Sequence, residues 1–146
     1  MNTRTQTTRI AVIPAVLIAF FVGTLAAHAG ETLVEKVPFA FTVGATTFPA
    51  GEYQFQVDQL FPNSVRVRST DFSTAAIALS RRAGGVVREG APFVKFNVYG
   101  EQRFLSMIQT KNGTAVTLGQ GSHERALAKA HGAPAITLAR SAGPRD

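Results

Sequence analysis

The chain has 146 residues, a formal net charge of +6 and no cysteine. The absence of cysteine excludes disulfides, thiol catalysis and thiolate metal sites, so the fold must be stabilised by an apolar core. The length suits one domain, and the basic balance favours anionic partners.

Residues 1–29 have the order of a secretory signal. Arg4 and Arg9 precede an uncharged apolar run that ends at Ala27, and Ala27 and Ala29 are the small residues that a signal peptidase reads. An uncleaved anchor is the alternative, because about 17 apolar residues nearly span a bilayer. We predict cleavage, which leaves residues 30–146 in the periplasm or outside the cell with no membrane span.

Alternation of apolar and polar residues dominates residues 30–132, which we assign to a single β-rich domain. Tyr53, Phe55 and Val57 alternate with polar residues, and Val65 and Val67 do the same. Such patterns predict strands with one buried and one wetted face, as in antiparallel sheets. The run 104–109 is apolar on both faces and predicts a central strand. Residues 133–146 form a tail that is either a last edge strand, over 136–138, or loose.

Short polar or glycine-bearing connectors separate these runs. Asn112-Gly113 is a strong hairpin signal and predicts a positive φ at both residues. Pro49, Ala50 and Gly51 predict a turn in which Gly51 adopts angles that other residues avoid. About seven short strands joined in this way predict a mainly β fold, a small antiparallel meander that forms a barrel or a sandwich.

One short helix is predicted near the C-terminus, over "SHERALAKAHG". Ser122 is expected to cap it, Glu124 lies in its positive first turn, and Gly132 ends it. A narrow apolar stripe on this helix is expected to lie on the sheet. It consists of Ala126, Leu127 and Ala130.

Four stretches resemble, in order, the motifs of an uncharacterised family of small exported bacterial proteins. They are "VPFAFTVG", "FPAGEYQF", "FNVYGEQRFLSMI" and "SHERALAKA", against a family pattern of PF-x-F-x-VG, then PAG-x-Y, then YG-x-x-x-FL. The resemblance covers about Val37 to Lys129. The chain departs from the pattern at Phe48, where the family has Leu, and at Ala40, where it has an acid. The resemblance implies export and a β-rich domain, and it transfers no catalytic residue.

The chemistry-bearing residues do not form a catalytic or metal-binding set. His123 and His131 are separated by about 12 Å along the predicted helix, too far for one metal ion. Ser122, His123 and Glu124 are the residue types of a hydrolase triad, but neighbours on a helix point in different directions. The acids fall mostly in turns or on wetted strand faces, and none is expected to be buried among apolar residues. We predict neither enzymatic activity nor a cofactor or metal.

Arg66 and Arg68 are the candidate site residues, because they project from the same face of one strand. The expected partner is anionic, either an envelope lipid or a polysaccharide. Nucleic acid is not expected, since most phenylalanines lie on the apolar face and are not exposed for stacking. The sequence therefore predicts an exported, non-enzymatic binding or structural module whose specific partner is unknown. The alternative is a small carrier that holds an apolar ligand in a phenylalanine-lined β-barrel.

Overall fold

A computed structural model describes residues 30–58, 64–83 and 91–140. The predicted signal, residues 1–29, lies outside the described residues. The described part is mainly β with one short helix, which confirms the predicted fold class. Its elements are β1 (Glu31–Val37), β2 (Phe41–Val43), β3 (Thr46–Phe48), β4 (Gly51–Val57), β5 (Ser64–Ser69), β6 (Ala75–Arg82), β7 (Phe93–Tyr99), β8 (Gln102–Gln109), β9 (Ala115–Leu118), α1 (Ser122–His131) and β10 (Ala135–Ala139).

The strands form one mixed sheet in the order β1-β4-β5-β6-β9-β8-β2-β3, with β7 paired to both β8 and β10. Two antiparallel meanders, β4-β5-β6 and β7-β8-β9, are joined because β6 pairs with β5 along its first part and with β9 at its end. Strands β2 and β8 pair in parallel, at Thr42 and Phe104, and the other pairings among the described strands are antiparallel. No pairing joins β1 to β10 in this part of the chain, so the sheet does not close. The arrangement is consistent with a sandwich or an open barrel.

Aromatic rings fill the centre of the domain. The ring centroid of Phe41 lies 5.1 Å from that of Phe48, 5.0 Å from that of Tyr53 and 5.2 Å from that of Phe96. These four side chains and Phe55 are each at most 2 % exposed. Burying a large apolar side chain stabilises a fold by about 1.5–3 kcal/mol. Because the rings contact one another, they form a packed core.

Strand β8 is central, as its two apolar faces predict. It pairs with β7 along one edge and with β9 and β2 along the other. Phe104, Leu105 and Ile108 are all buried, so both of its faces pack against other residues.

The sequence pattern did not predict β1 and β3. In β1, Leu33 and Val37 are buried as an alternating strand requires, but the residue between them on the same face is Glu35. This acid interrupts the apolar alternation, although its side chain is only 2 % exposed. Strand β3 has three residues and follows a turn in which Gly44 has a φ of 61°.

The hairpin at Asn112-Gly113 forms, but the predicted turn is wrong in one respect. Gly113 has a φ of 78°, whereas Asn112 does not have a positive φ. The N–H of Gly113 donates to the carbonyl of Thr110, and the N–H of Thr110 donates to the carbonyl of Thr114. This is the geometry of a hairpin loop longer than two residues, in which only one position needs a positive φ, and Gly113 occupies that position.

Gly51 also differs from its prediction. It is the first residue of β4 and does not have a positive φ, so the expectation about its backbone was wrong. A Cβ at this position would lie 3.4 Å from the ring of Tyr53. That distance is an ordinary van der Waals contact, so neither the backbone conformation nor the available space requires glycine here.

Helix α1 is preceded by Gly121 as its N-cap residue, and it has no side-chain cap, so the predicted capping role of Ser122 is wrong. Its C-terminal end is as predicted, since Gly132 has a φ of 77° and donates its N–H to the carbonyl of Ala128. The apolar stripe is not the packed face, because Ala126 and Ala130 are exposed. The helix instead turns Glu124 toward the sheet. No helix in the described residues is long and apolar enough to cross a membrane.

Candidate anion-binding face

The outer surface of β4, β5 and β6 carries both candidate arginines. Arg66 pairs with Gln56 of β4 and Ile77 of β6, and Arg68 pairs with Gln54 and Ala75. Residues that pair across antiparallel strands project on the same side of the sheet. We call this surface the arginine face; it consists of Gln54, Gln56, Ser64, Arg66, Arg68, Ala75, Ile77 and Leu79.

Neutral side chains orient the two guanidinium groups. Nη2 of Arg68 donates to Oε1 of Gln54 over 2.9 Å, and its Cζ lies 4.3 Å from the ring centroid of Phe72. Nη1 of Arg66 lies 3.5 Å from Oε1 of Gln56, a long contact that holds this arginine less firmly. Amide partners position a guanidinium without cancelling its charge. The face therefore presents two oriented cations.

Charges at the ends of the arginine face extend its positive character. Lys36 of β1 pairs with Glu52 of β4 near one end, so these two charges offset each other locally. Beyond the other end, Arg81 and Arg82 finish β6 and are exposed. Glu52 is the next residue on the same side of β4 after Gln54, so an acid borders the face at that end, and the two arginines lie between it and Arg81.

Large apolar side chains on the same face are exposed to solvent. Ile77 is 68 % exposed and Leu79 is 81 % exposed, whereas Ala76 and Ala78 point inward and pack against the core. Phe72, in the turn before β6, is 65 % exposed. The sequence pattern did not predict this surface. The alternation along β6 does indicate this surface, because its small residues, Ala76 and Ala78, fit against the core and its large residues, Ile77 and Leu79, face solvent.

A groove of about 350 Å³ lies beside β6 and ends at the start of α1. Ile77, Leu79 and Leu118 line it, together with Glu124, a carboxylate only 4 % exposed. Nδ2 of Asn97 donates to Oε1 of Glu124 over 2.8 Å. The expectation that no acid is buried is therefore wrong for Glu124, as it is for Glu35.

Tyr99 completes the polar contacts around Glu124. Burial, and then the negative charge of Glu124, raise the pKa of the Tyr99 hydroxyl above its ordinary value. The hydroxyl accepts a hydrogen bond of 3.1 Å from Nε2 of Gln120. These contacts connect the loop before α1 and the first turn of the helix to β7. The buried carboxylate of Glu124 therefore has a structural role, because it holds α1 against β7.

The residues considered for catalysis and metal binding are not brought together. The imidazole Nε2 of His123 lies 2.8 Å from Oε1 of Gln102, while Glu124 contacts Asn97 on β7. Ser122, His123 and His131 are all exposed. Within the described ranges, no three His, Asp or Glu side chains are grouped so that they could hold a metal ion.

Comparison of the chain with protein-family models, with curated proteins and with solved structures gives no match. The arginine face therefore provides the main basis for a functional proposal. It places Arg66 and Arg68 on one surface and adds the apolar residues Ile77 and Leu79 to them.

Proposed function

We propose that this protein is an exported, non-enzymatic binding module whose arginine face contacts an anionic partner. The observation that carries this proposal is the placement of Arg66 and Arg68 on one open strand face, where their hydrogen-bond partners are neutral glutamines. Anionic envelope lipid and acidic polysaccharide both supply the repeated negative charges that such a face would bind.

Export is the second part of the proposal. The basic, apolar and small-residue order of residues 1–29 supports it, as does the resemblance of the mature chain to a family of exported proteins. The intact mass of the protein recovered from the periplasm of a bacterial host tests it. We expect a mass that begins at Gly30, and a chain that keeps residues 1–29 would contradict cleavage.

Each charge pair between this face and its partner is expected to contribute little binding free energy, so firm binding requires several such pairs. A single exposed charge pair contributes about 0.2–1 kcal/mol and is screened by salt over about 10 Å at 0.1 M ionic strength. Binding through this face should therefore weaken steeply as salt is added. A binding mode that uses one deep pocket would be less sensitive to salt.

A pair of charge-matched variants tests the arginine face. The double substitution R66Q/R68Q removes two charges from the face, and R125Q/K129Q removes two exposed charges from α1. We expect R66Q/R68Q to lose most adsorption to anionic vesicles and to an anionic polysaccharide at low salt, and R125Q/K129Q to keep it. Equal loss in both variants would mean that net charge alone drives adsorption, and unchanged adsorption in R66Q/R68Q would contradict the proposed face.

A further inference from the structure

We propose that the partner of the arginine face is the surface of a lipid bilayer with anionic head groups. This inference rests on the proposed function and names the partner of the same face. It is carried by Ile77 and Leu79, which are 68 % and 81 % exposed on the same face as the cations.

The cationic and apolar side chains lie side by side on the β5–β6 hairpin, with the arginines on β5 and the exposed aliphatic residues on β6. Arg66 is the direct cross-strand neighbour of Ile77, and Leu79 follows on the same side toward the end of the hairpin that leads to Arg81. At the turn, the guanidinium of Arg68 stacks on the exposed ring of Phe72. Ile77 and Phe72 therefore each have an arginine beside them, whereas Leu79 lies opposite Ser64 and one position along the same side of β6 from Arg81.

This arrangement matches the chemistry of a bilayer interface. Phosphate groups lie at the level of the head groups, and the acyl chains begin directly beneath them. A surface that places aliphatic side chains next to arginines can pair its charges with phosphates while the aliphatic groups leave water. Arginine also suits this position because its long stem reaches outward past apolar neighbours.

An acidic polysaccharide would satisfy only half of the face. Its carboxylates or sulfates would pair with Arg66 and Arg68, and its sugar rings would stack on an aromatic ring such as that of Phe72. It offers no apolar layer to Ile77 or Leu79, which would remain in water. Exposed aliphatic patches beside a binding surface mark an apolar contact.

A second copy of the chain fits the face less well. In a two-fold dimer the same patch meets itself, so Arg66, Arg68 and Arg81 of one copy would face the same cations of the other. Such a contact would bring like charges together, and Glu52, the acid that borders the face on β4, already has Lys36 beside it. Self-association is therefore an outcome of the test that would overturn the proposal.

A single introduced tryptophan measures whether β6 enters the bilayer. The chain has no tryptophan, so L79W supplies the only indole signal. I136W is the matched control, because Ile136 is also exposed but lies on β10. With vesicles of equal parts phosphatidylglycerol and phosphatidylcholine, we expect the L79W emission to shift to shorter wavelength and to be quenched by brominated acyl chains, while I136W stays unchanged. Equal responses, or no response in L79W on vesicles that bind the protein, would overturn the proposal.

The double substitution I77S/L79S separates this inference from the proposed function. We expect it to weaken binding to the same vesicles by about tenfold or more, because two large side chains no longer leave water, and to leave adsorption to the anionic polysaccharide, where it occurs, unchanged.

If I77S/L79S binds vesicles as well as the parent while R66Q/R68Q does not, the charge contact stands and the bilayer inference fails. If the parent binds neither surface, both proposals fail. If I77S/L79S converts a dimer into a monomer on size-exclusion chromatography, the face is an interface between copies.

Discussion

The hydroxyl of Tyr53 donates a hydrogen bond of 2.5 Å to the carbonyl oxygen of Pro49. The ring of Tyr53 is buried against Phe41 and Phe48, so the bond connects the corner between β3 and β4 to the core. The same device, a tyrosine hydroxyl bonded to backbone a few residues upstream, fixes corners in β-sandwich domains. The stretch "FPAGEY" is therefore explained by structure, with no need for a ligand.

Removing the Tyr53 hydroxyl tests this explanation. Tyr53→Phe keeps the ring in the core but deletes the hydrogen bond to Pro49, and we expect it to lower the free energy of unfolding by about 1 kcal/mol. Urea denaturation followed by circular dichroism measures the change. Adsorption to anionic vesicles should be unaffected, and a variant of unchanged stability that lost this adsorption would show that the corner is part of a binding site.

Two glycines provide a matched test of backbone conformation. Gly100 has a φ of 59° in the turn between β7 and β8, whereas Gly119 does not have a positive φ, and an added Cβ at either would meet no atom within 4 Å. We expect Gly100→Ala to destabilise the fold by about 1 kcal/mol and Gly119→Ala to change it by less than about 0.5 kcal/mol. Thermal denaturation of the two variants compares them. Similar melting temperatures would refute the assigned role of Gly100.

The tether between Glu124 and Asn97 predicts the behaviour of helix α1. Glu124→Ala leaves the half-buried amide of Asn97 without its charged acceptor, so we expect a loss of about 1.5–3 kcal/mol in the free energy of unfolding. The amides of residues 122–131 should then exchange faster in hydrogen–deuterium exchange. Glu101→Ala, at an exposed turn position, is the control and should leave both measurements unchanged.

Phe72 links backbone strain to the arginine face. It is the only described residue other than glycine with a positive φ, 63°, a conformation that costs a bulky residue energy. Asparagine tolerates this conformation, so we expect Phe72→Asn to keep or raise the melting temperature while weakening vesicle binding, because Arg68 loses the ring on which it stacks. Weaker folding with unchanged vesicle binding would assign Phe72 to the stability of the turn alone.

Asp71 has a pKa well below that of an ordinary carboxyl. The nearby Ser69 hydroxyl, together with hydrogen bonds of 3.0 and 2.8 Å from the N–H and the hydroxyl of Ser73, lowers the pKa of Asp71 from 3.8 to about 2. Because the pKa is depressed in the folded state, these bonds stabilise the turn above pH 3.8, and that contribution is lost as the pH falls toward 2. A carbon-detected NMR titration should give a pKa of about 2 for Asp71, and Ser73→Ala should raise it. An ordinary pKa in the parent protein would contradict the hydrogen bonds seen here.

Alternation predicted the strands that bury one apolar face, and it missed the others for identifiable reasons. Phe55, Val65 and Val67 are buried as the pattern indicates. Strand β1 was missed because Glu35 occupies an inward position, and an acid at such a place breaks the apolar signal. Strand β3 is too short to show a period. The pairing of β2 with β8 depends on contacts between distant parts of the chain, which a local pattern does not encode.

The candidate site was predicted in part. The spacing of Arg66 and Arg68 was enough to place both on one strand face, because side chains alternate along a strand. The exposure of Ile77 and Leu79 was not predicted, since apolar residues in an alternating run are ordinarily assigned to the core. Only the packing of Ala76 and Ala78 against the core shows which side of β6 faces inward.

Arginine-specific chemical labelling tests most directly whether the arginine face contacts an anionic partner. The purified protein is treated with a dicarbonyl reagent, with and without vesicles of equal parts phosphatidylglycerol and phosphatidylcholine, and each modified arginine is measured by mass spectrometry. We predict that the vesicles protect Arg66 and Arg68 and leave Arg125 on α1 fully reactive. Protection of Arg125 with continued labelling of Arg66 and Arg68 would contradict the proposed face.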